Sequence, residues 1–137
     1  MIDQQPGAIR SRRVLIDGEL RRATLILRDE QIHDVLPYDS VAGDNLVLEA
    51  GNDLVLPGLI DIHVHLNEPG KTEWEGFETG TRAAIAGGVT TLFDMPLNSV
   101  PCTTNREGLL AKRLASEGKL YCDIGFHGGY FDGNDEG

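Results

Sequence analysis

The sequence predicts an α/β protein, with a small all-β unit over residues 1–57 and the first β-α-β-α-β units of a (β/α)8 barrel over residues 58–137. Three observations predict it. At Pro57-Gly58 the apolar pattern changes from short strand runs separated by turns to strand runs alternating with helical ones. Both helical runs open on a capping sequence and close on glycine. His63 and His65 stand late on the first strand of the alternating part, the end at which barrels of this type carry their chemistry.

In the all-β unit, Arg13-Val14-Leu15-Ile16 runs into Asp17-Gly18, a hairpin dipeptide. Ala23 to Arg28 and Gln31 to Leu36 are two further β-rich runs, and Leu46 to Ala50 with Leu54 to Leu56 complete the unit. It is too short to bury much of a core alone, so pairing with strands from elsewhere in a full-length protein is expected. In the alternating part Leu59 to Leu66 is a strand. Thr72-Glu73-Trp74-Glu75 fits a capping box, and the following helix sets Trp74, Phe77, Thr81, Ala84 and Ile85 on one stripe before Gly87-Gly88 ends it. Val89 to Met95 is the second strand. Thr104-Asn105-Arg106-Glu107 is a second box, opening a helix with Leu110 and Leu114 on its inner face and Gly118 as its stop. Leu120 to Phe126 is the third strand, and this order calls for parallel strands with right-handed crossovers. Internal repeats, low-complexity tracts and long linkers are absent from the sequence.

A closed barrel takes about 250 residues. The chain has 137 and ends at Glu136-Gly137 in a Gly/Asp-rich stretch, so it reads as the N-terminal part of a longer enzyme. With 40% hydrophobic and 25% charged residues the composition is that of a soluble globular protein, and a net charge of −10 argues against nucleic acid or an anionic membrane as partner. Cys102 and Cys122 are isolated thiols outside any Cys-x-x-Cys pair, which fits a reducing compartment rather than a disulfide framework. No apolar run approaches the roughly 18 residues of a membrane span. Met1 to Arg13 lacks the apolar core of a signal peptide. The expected location is the cytoplasm.

The chemistry centres on Pro57-Gly58-Leu59-Ile60-Asp61-Ile62-His63-Val64-His65-Leu66-Asn67-Glu68-Pro69-Gly70. Alternation along a strand sends the side chains at i and i+2 to one face, so both imidazoles point the same way. Two neutral nitrogen donors form half of a site for Zn, Co, Ni or Mn. A His-x-His by itself is equally read as a structural pair, and a catalytic metal normally takes at least three protein ligands, so the others must lie beyond Gly137 or on another chain. Asp61 faces the same side and either orients His63 or bonds backbone at the strand end. Asp94 divides in the same way. His33 reads as a surface or turn residue, His127 as loop packing or rim, and Cys102 as a buried thiol without a base to activate it.

The segment from Val55 to Thr104 resembles the amidohydrolase superfamily, in the branch of cyclic amidases that holds dihydroorotases, hydantoinases and allantoinases. Within that branch His63-Val64-His65-Leu66-Asn67-Glu68-Pro69-Gly70, Thr72-Glu73-Trp74-Glu75-Gly76-Phe77-Glu78-Thr79 and Asp94-Met95-Pro96-Leu97-Asn98-Ser99 are most similar to the allantoinases. The resemblance implies a TIM barrel with two divalent ions, Zn by preference and Co, Mn or Ni as alternatives. His63 and His65 map onto the first-strand pair that binds one ion. A carbamylated lysine, two later histidines and an Asp general base have no counterpart here, so no catalytic residue is assigned to this chain and the chain alone is expected to be inactive. Water activated by the ions would attack the ring amide of (S)-allantoin and open it to allantoate. A full-length homo-oligomer, a tetramer, is implied as well.

Dihydroorotases of this branch carry an Arg two residues after the second histidine, paired with the substrate carboxylate. Asn67 stands there instead, and its uncharged amide suits a neutral ureido or amide substrate or else caps the turn before Pro69. Asn98 resembles the dihydroorotase substrate asparagine, displaced by the extra Leu97. Two other readings stay open: hydrolysis of another cyclic amide, such as a hydantoin or dihydropyrimidine, and a non-catalytic relative that keeps the barrel for assembly.

Overall fold

Asp17 and Gly18 both adopt positive φ, 51° and 81°, the conformation of a two-residue hairpin turn. They join β1 (Gly7–Ile16) to β2 (Glu19–Arg28), and β3 (Gln31–Pro37) follows antiparallel to β2. These elements come from a computed structural model that describes residues 7–29, 31–40 and 46–133. The N-terminal residues 1–6, read above as lacking a leader, and the terminal Glu136-Gly137 lie outside the described residues. The chain divides into two compact units, Met1–Pro57 and Gly58–Gly137.

The first unit is a four-stranded sheet in the order β3-β2-β1-β4. The two short runs expected after residue 45 are one strand, β4 (Leu46–Val55), laid parallel to β1. Gly51 at φ 59° lets the chain continue through an irregularity that splits the apolar pattern in two. β1 has its own irregularity between Ser11 and Val14. There the buried Ser11 hydroxyl replaces ladder partners, donating to the Asp53 carbonyl at 2.5 Å and accepting from the Arg13 amide at 3.0 Å. Val14, Ala23 and Leu25 form a small core with Ile16 and Val55 packed against it. His33 is exposed on β3, as expected.

The second unit alternates as expected: β5 (Leu59–Val64), α1 (Phe77–Ala86), β6 (Val89–Asp94), α2 (Arg106–Ser116) and β7 (Asp123–Phe126), with the three strands parallel in sequence order. Its core joins Leu66, Phe77 and Leu92, with Phe77 meeting the Phe126 ring edge-on at 6.1 Å. Phe77 is fully buried, so Phe77→Ala is expected to lower unfolding stability by about 3–5 kcal/mol, measured by urea denaturation. Among the described residues no helix is long and apolar enough to cross a membrane.

Both helices begin later than expected. Thr72 to Trp74 form a turn, with the Trp74 amide bonded to the Lys71 carbonyl at 3.0 Å, and α1 starts at Phe77 behind Gly76. Trp74 is accordingly off the buried stripe, 63% exposed with the Lys71 ammonium 4.5 Å from its ring centroid, and Ile85 is also exposed. The cap of α2 is Asn105 rather than Thr104, its side-chain oxygen accepting from the Gly108 amide at 2.8 Å. The inner face of α2 is also corrected. Leu110 and Leu114 are exposed, and Gly108, Lys112 and Ser116 are the buried positions. Gly108 approaches so closely that a Cβ would lie 2.3 Å from the Cys102 carbonyl oxygen, and Lys112 finds a buried anion. Close approach and charge pairing, rather than leucine content, choose that face.

Candidate metal centre

β5 ends at Val64, so His63 is on the strand and His65 directly beyond it. Their ring centroids lie 5.4 Å apart with planes inclined by 59°, the common side that alternation requires. Of the two roles open to Asp61, the structure has the backbone one: its Oδ1 accepts the His63 amide at 3.0 Å. Asn98, at φ 72°, brings its amide nitrogen to 3.3 Å from His65 Nδ1. Asn67 is only 7% exposed, and its backbone is fixed at both ends, the amide donating to the Glu75 carbonyl at 2.8 Å and the carbonyl accepting from the Lys71 amide at 2.9 Å.

The loop carrying these groups is held by two acidic side chains: Glu68, which no local signal marked, and Asp94, which takes the backbone role of the two open to it, its Oδ1 accepting the Leu66 amide at 2.7 Å. Glu68, 5% exposed, accepts the Phe77 amide at 3.0 Å through one oxygen and pairs with the Lys119 ammonium through the other. It thereby supplies the cap that Gly76 lacks, with the charge suited to a helix N-terminus. Asp94 lies at the end of β6 and pairs with Lys112 of α2 at 2.5 Å, both residues 1% exposed. Burial pushes the Asp94 carboxyl up, while Lys112 and the Leu66 amide pull it back. Lys112 had one local signal, a lysine four residues from both Gly108 and Ser116 on a face of small residues.

His127 reaches the Ile62 carbonyl with Nε2 at 3.2 Å, and its amide donates to the Asp94 carbonyl at 2.9 Å, so it packs along the strand ends as read. Cys102 is exposed rather than buried, its thiol donating to the Ser99 carbonyl at 3.4 Å. Among the described residues no group of three or more His, Cys, Asp or Glu side chains is placed to hold a metal ion. The donor set offered is two imidazoles, which fits an ion of the Zn, Co or Ni kind and supplies part of its ligands.

Residues 54–136 match the amidohydrolase family, and the chain belongs to it. It is 48% identical over 133 residues to an allantoinase of Saccharomyces cerevisiae, a match covering 90% of this chain and 29% of that protein. It is 48% identical over 127 residues to an allantoinase of Streptomyces avermitilis, covering 92% of this chain and 28% of that protein. Among solved structures it is similar to an L-hydantoinase (dihydropyrimidinase) from Arthrobacter aurescens, with TM-score 0.78, 23% identity, and 93% and 28% of the two chains covered. A D-hydantoinase (dihydropyrimidinase) from Thermus sp. gives TM-score 0.74 and 27% identity over 96% and 29%. The chain thus spans 28–29% of the length of these relatives.

Proposed function

We propose that this chain is the opening portion of a metal-dependent cyclic amidase that hydrolyses (S)-allantoin to allantoate. The observation that carries the reading is the His63/His65 pair, its rings 5.4 Å apart at the end of β5, in a chain 48% identical to allantoinases. In this reading the three parallel strands begin a (β/α)8 barrel, and the complete enzyme is a cytoplasmic homo-oligomer, a tetramer, acting on a small molecule. His63 and His65 hold one of two divalent ions, zinc by preference with Co, Mn or Ni as alternatives. A bound divalent ion supplies Lewis acidity and lowers the pKa of water at neutral pH.

The remaining work of this chain is positional. In hydrolysis the ring C–N bond breaks and a water oxygen joins the carbonyl carbon, leaving a carboxylate and a terminal ureido nitrogen that takes one water proton while the other is released to solvent. Asn67 and Asn98 face that substrate with neutral amides, which match ureido donors and acceptors without demanding a charged group. Asn67→Ala is expected to lower kcat/KM by about ten- to a hundredfold, the worth of one or two hydrogen bonds with a stranded partner, while metal content stays unchanged. Steady-state kinetics beside metal analysis checks it.

A second reading, a hydantoin or dihydropyrimidine as substrate, is favoured by the names of the structural neighbours, and a non-catalytic assembly role is the third. A chimera separates them: residues 7–133 replace the matched segment of the Streptomyces avermitilis allantoinase. Turnover of allantoin well above hydantoin and dihydrouracil is expected with added zinc or cobalt. A folded, metal-loaded chimera that prefers hydantoin, or turns over none of the three, overturns the proposal. The chain alone, with two histidine donors, is expected to show no turnover above buffer with the same metals.

A further inference from the structure

The parallel pairing of β5 with β6 ends at Val64 opposite Asp94, where the Met95 amide donates to the Val64 carbonyl at 2.8 Å. Beyond that point side chains take over the ladder. Asp94 Oδ1 accepts the Leu66 amide at 2.7 Å, and Lys112 Nζ donates to the Leu66 carbonyl at 3.3 Å. The two members of one ion pair therefore hold both backbone polar groups of one residue. The Lys112 ammonium forms an ion pair with Asp94 Oδ2 at 2.5 Å and donates hydrogen bonds to Leu66 O at 3.3 Å and Ser99 Oγ at 3.2 Å. Leu66 and Ser99 are the residues that follow His65 and Asn98, whose side chains meet at 3.3 Å.

An apolar pair of similar volume would fill the same space without desolvating two charges, so packing does not account for this arrangement. Charge-assisted hydrogen bonds add direction, fixing chosen backbone atoms where packing fixes only volume. We propose that the buried Asp94–Lys112 pair is the positioning device of the candidate metal centre, gripping Leu66 and Ser99 so that His65 is held in place against Asn98. This rests on the reading of His65 as a metal ligand. Neither Asp94 nor Lys112 touches substrate in it, and both act through His65 and Asn98, as outer groups that orient a ligand do.

The test uses the 137-residue chain with nitrogen-15 histidine, in wild-type form, as Asp94→Leu/Lys112→Met, and as Ser99→Ala. Three quantities are read: the ring-nitrogen shifts of His65, the affinity for Zn2+ by chelator competition, and the midpoint of thermal unfolding. The double variant is expected to keep a cooperative melt at a midpoint lowered by the unpaired Leu66 amide and carbonyl, to lose the wild-type His65 shifts and to bind Zn2+ about 10- to 100-fold more weakly. Ser99→Ala, which removes one hydrogen bond and leaves the ion pair, is expected to move the same His65 signals by less. Wild-type His65 shifts and Zn2+ affinity in the double variant overturn the proposal. If the double variant shows no cooperative melt, Ser99→Ala decides, and unmoved His65 signals there overturn it. None of these readouts involves turnover. An inactive chimera with a displaced His65 would sink the amidase reading alone, and an active chimera with His65 undisturbed would sink the positioning role alone.

Discussion

His63→Ala or His65→Ala, made in the allantoinase chimera, is expected to bring allantoin hydrolysis below detection and to lower bound metal together with it. In the proposed reading each imidazole is one of the few donors to its ion, and the two stand side by side at the end of β5 with no third His, Cys, Asp or Glu grouped with them among the described residues. Among the described residues no neighbouring His, Cys, Asp or Glu is placed to substitute for a lost donor. Because occupancy falls, added zinc or cobalt is expected to restore little activity at micromolar levels, in contrast to Asn67→Ala, which keeps its metal. Metal analysis by atomic emission beside steady-state kinetics checks the pair. Either histidine variant with full metal content and full rate would remove it from the ligand set.

Lys112→Met is the second large effect, and it falls on stability. The substitution keeps the volume of the side chain and leaves Asp94 buried without its cation, a change worth about 3–5 kcal/mol. It also carries a pH signature. Burial already pushes the Asp94 carboxyl up, and Lys112 is the first of the groups that pull it back. Removing the ammonium raises it further, so the folded variant binds a proton that the unfolded chain releases. The stability of the variant is therefore expected to fall as pH rises through the folded-state value and to recover on acidification. Thermal unfolding at mildly acidic and mildly alkaline pH measures it, and a deficit that does not change with pH would show that the carboxylate is relieved in another way.

The alternation of strands and helices was legible because it depends on local periodicity and local punctuation. Asp17-Gly18 turns where an all-positive φ turn is needed, and Gly88 and Gly118 take positive φ just past the two helices. The histidine pair was legible for the same reason, since period two along an apolar run puts His63 and His65 on one side whatever packs around them. Helix starts were less legible. Thr72-x-x-Glu75 satisfies a local rule, yet the cap of α1 comes from Glu68, nine residues upstream of the Phe77 amide that it accepts.

What the sequence determined by itself was thus the order and type of the elements, the two candidate metal donors and the family phrase around them, because each is written in neighbours a few positions apart. Only the tertiary structure decided how those donors are held. It buried Lys112 against Asp94 across 18 positions of sequence, turned Leu110 and Leu114 outward, and set the Asn98 amide against His65 across 33 positions. The physical reason is that a buried charge is settled by whatever opposite charge the fold brings within reach, and no helical or strand period encodes that meeting.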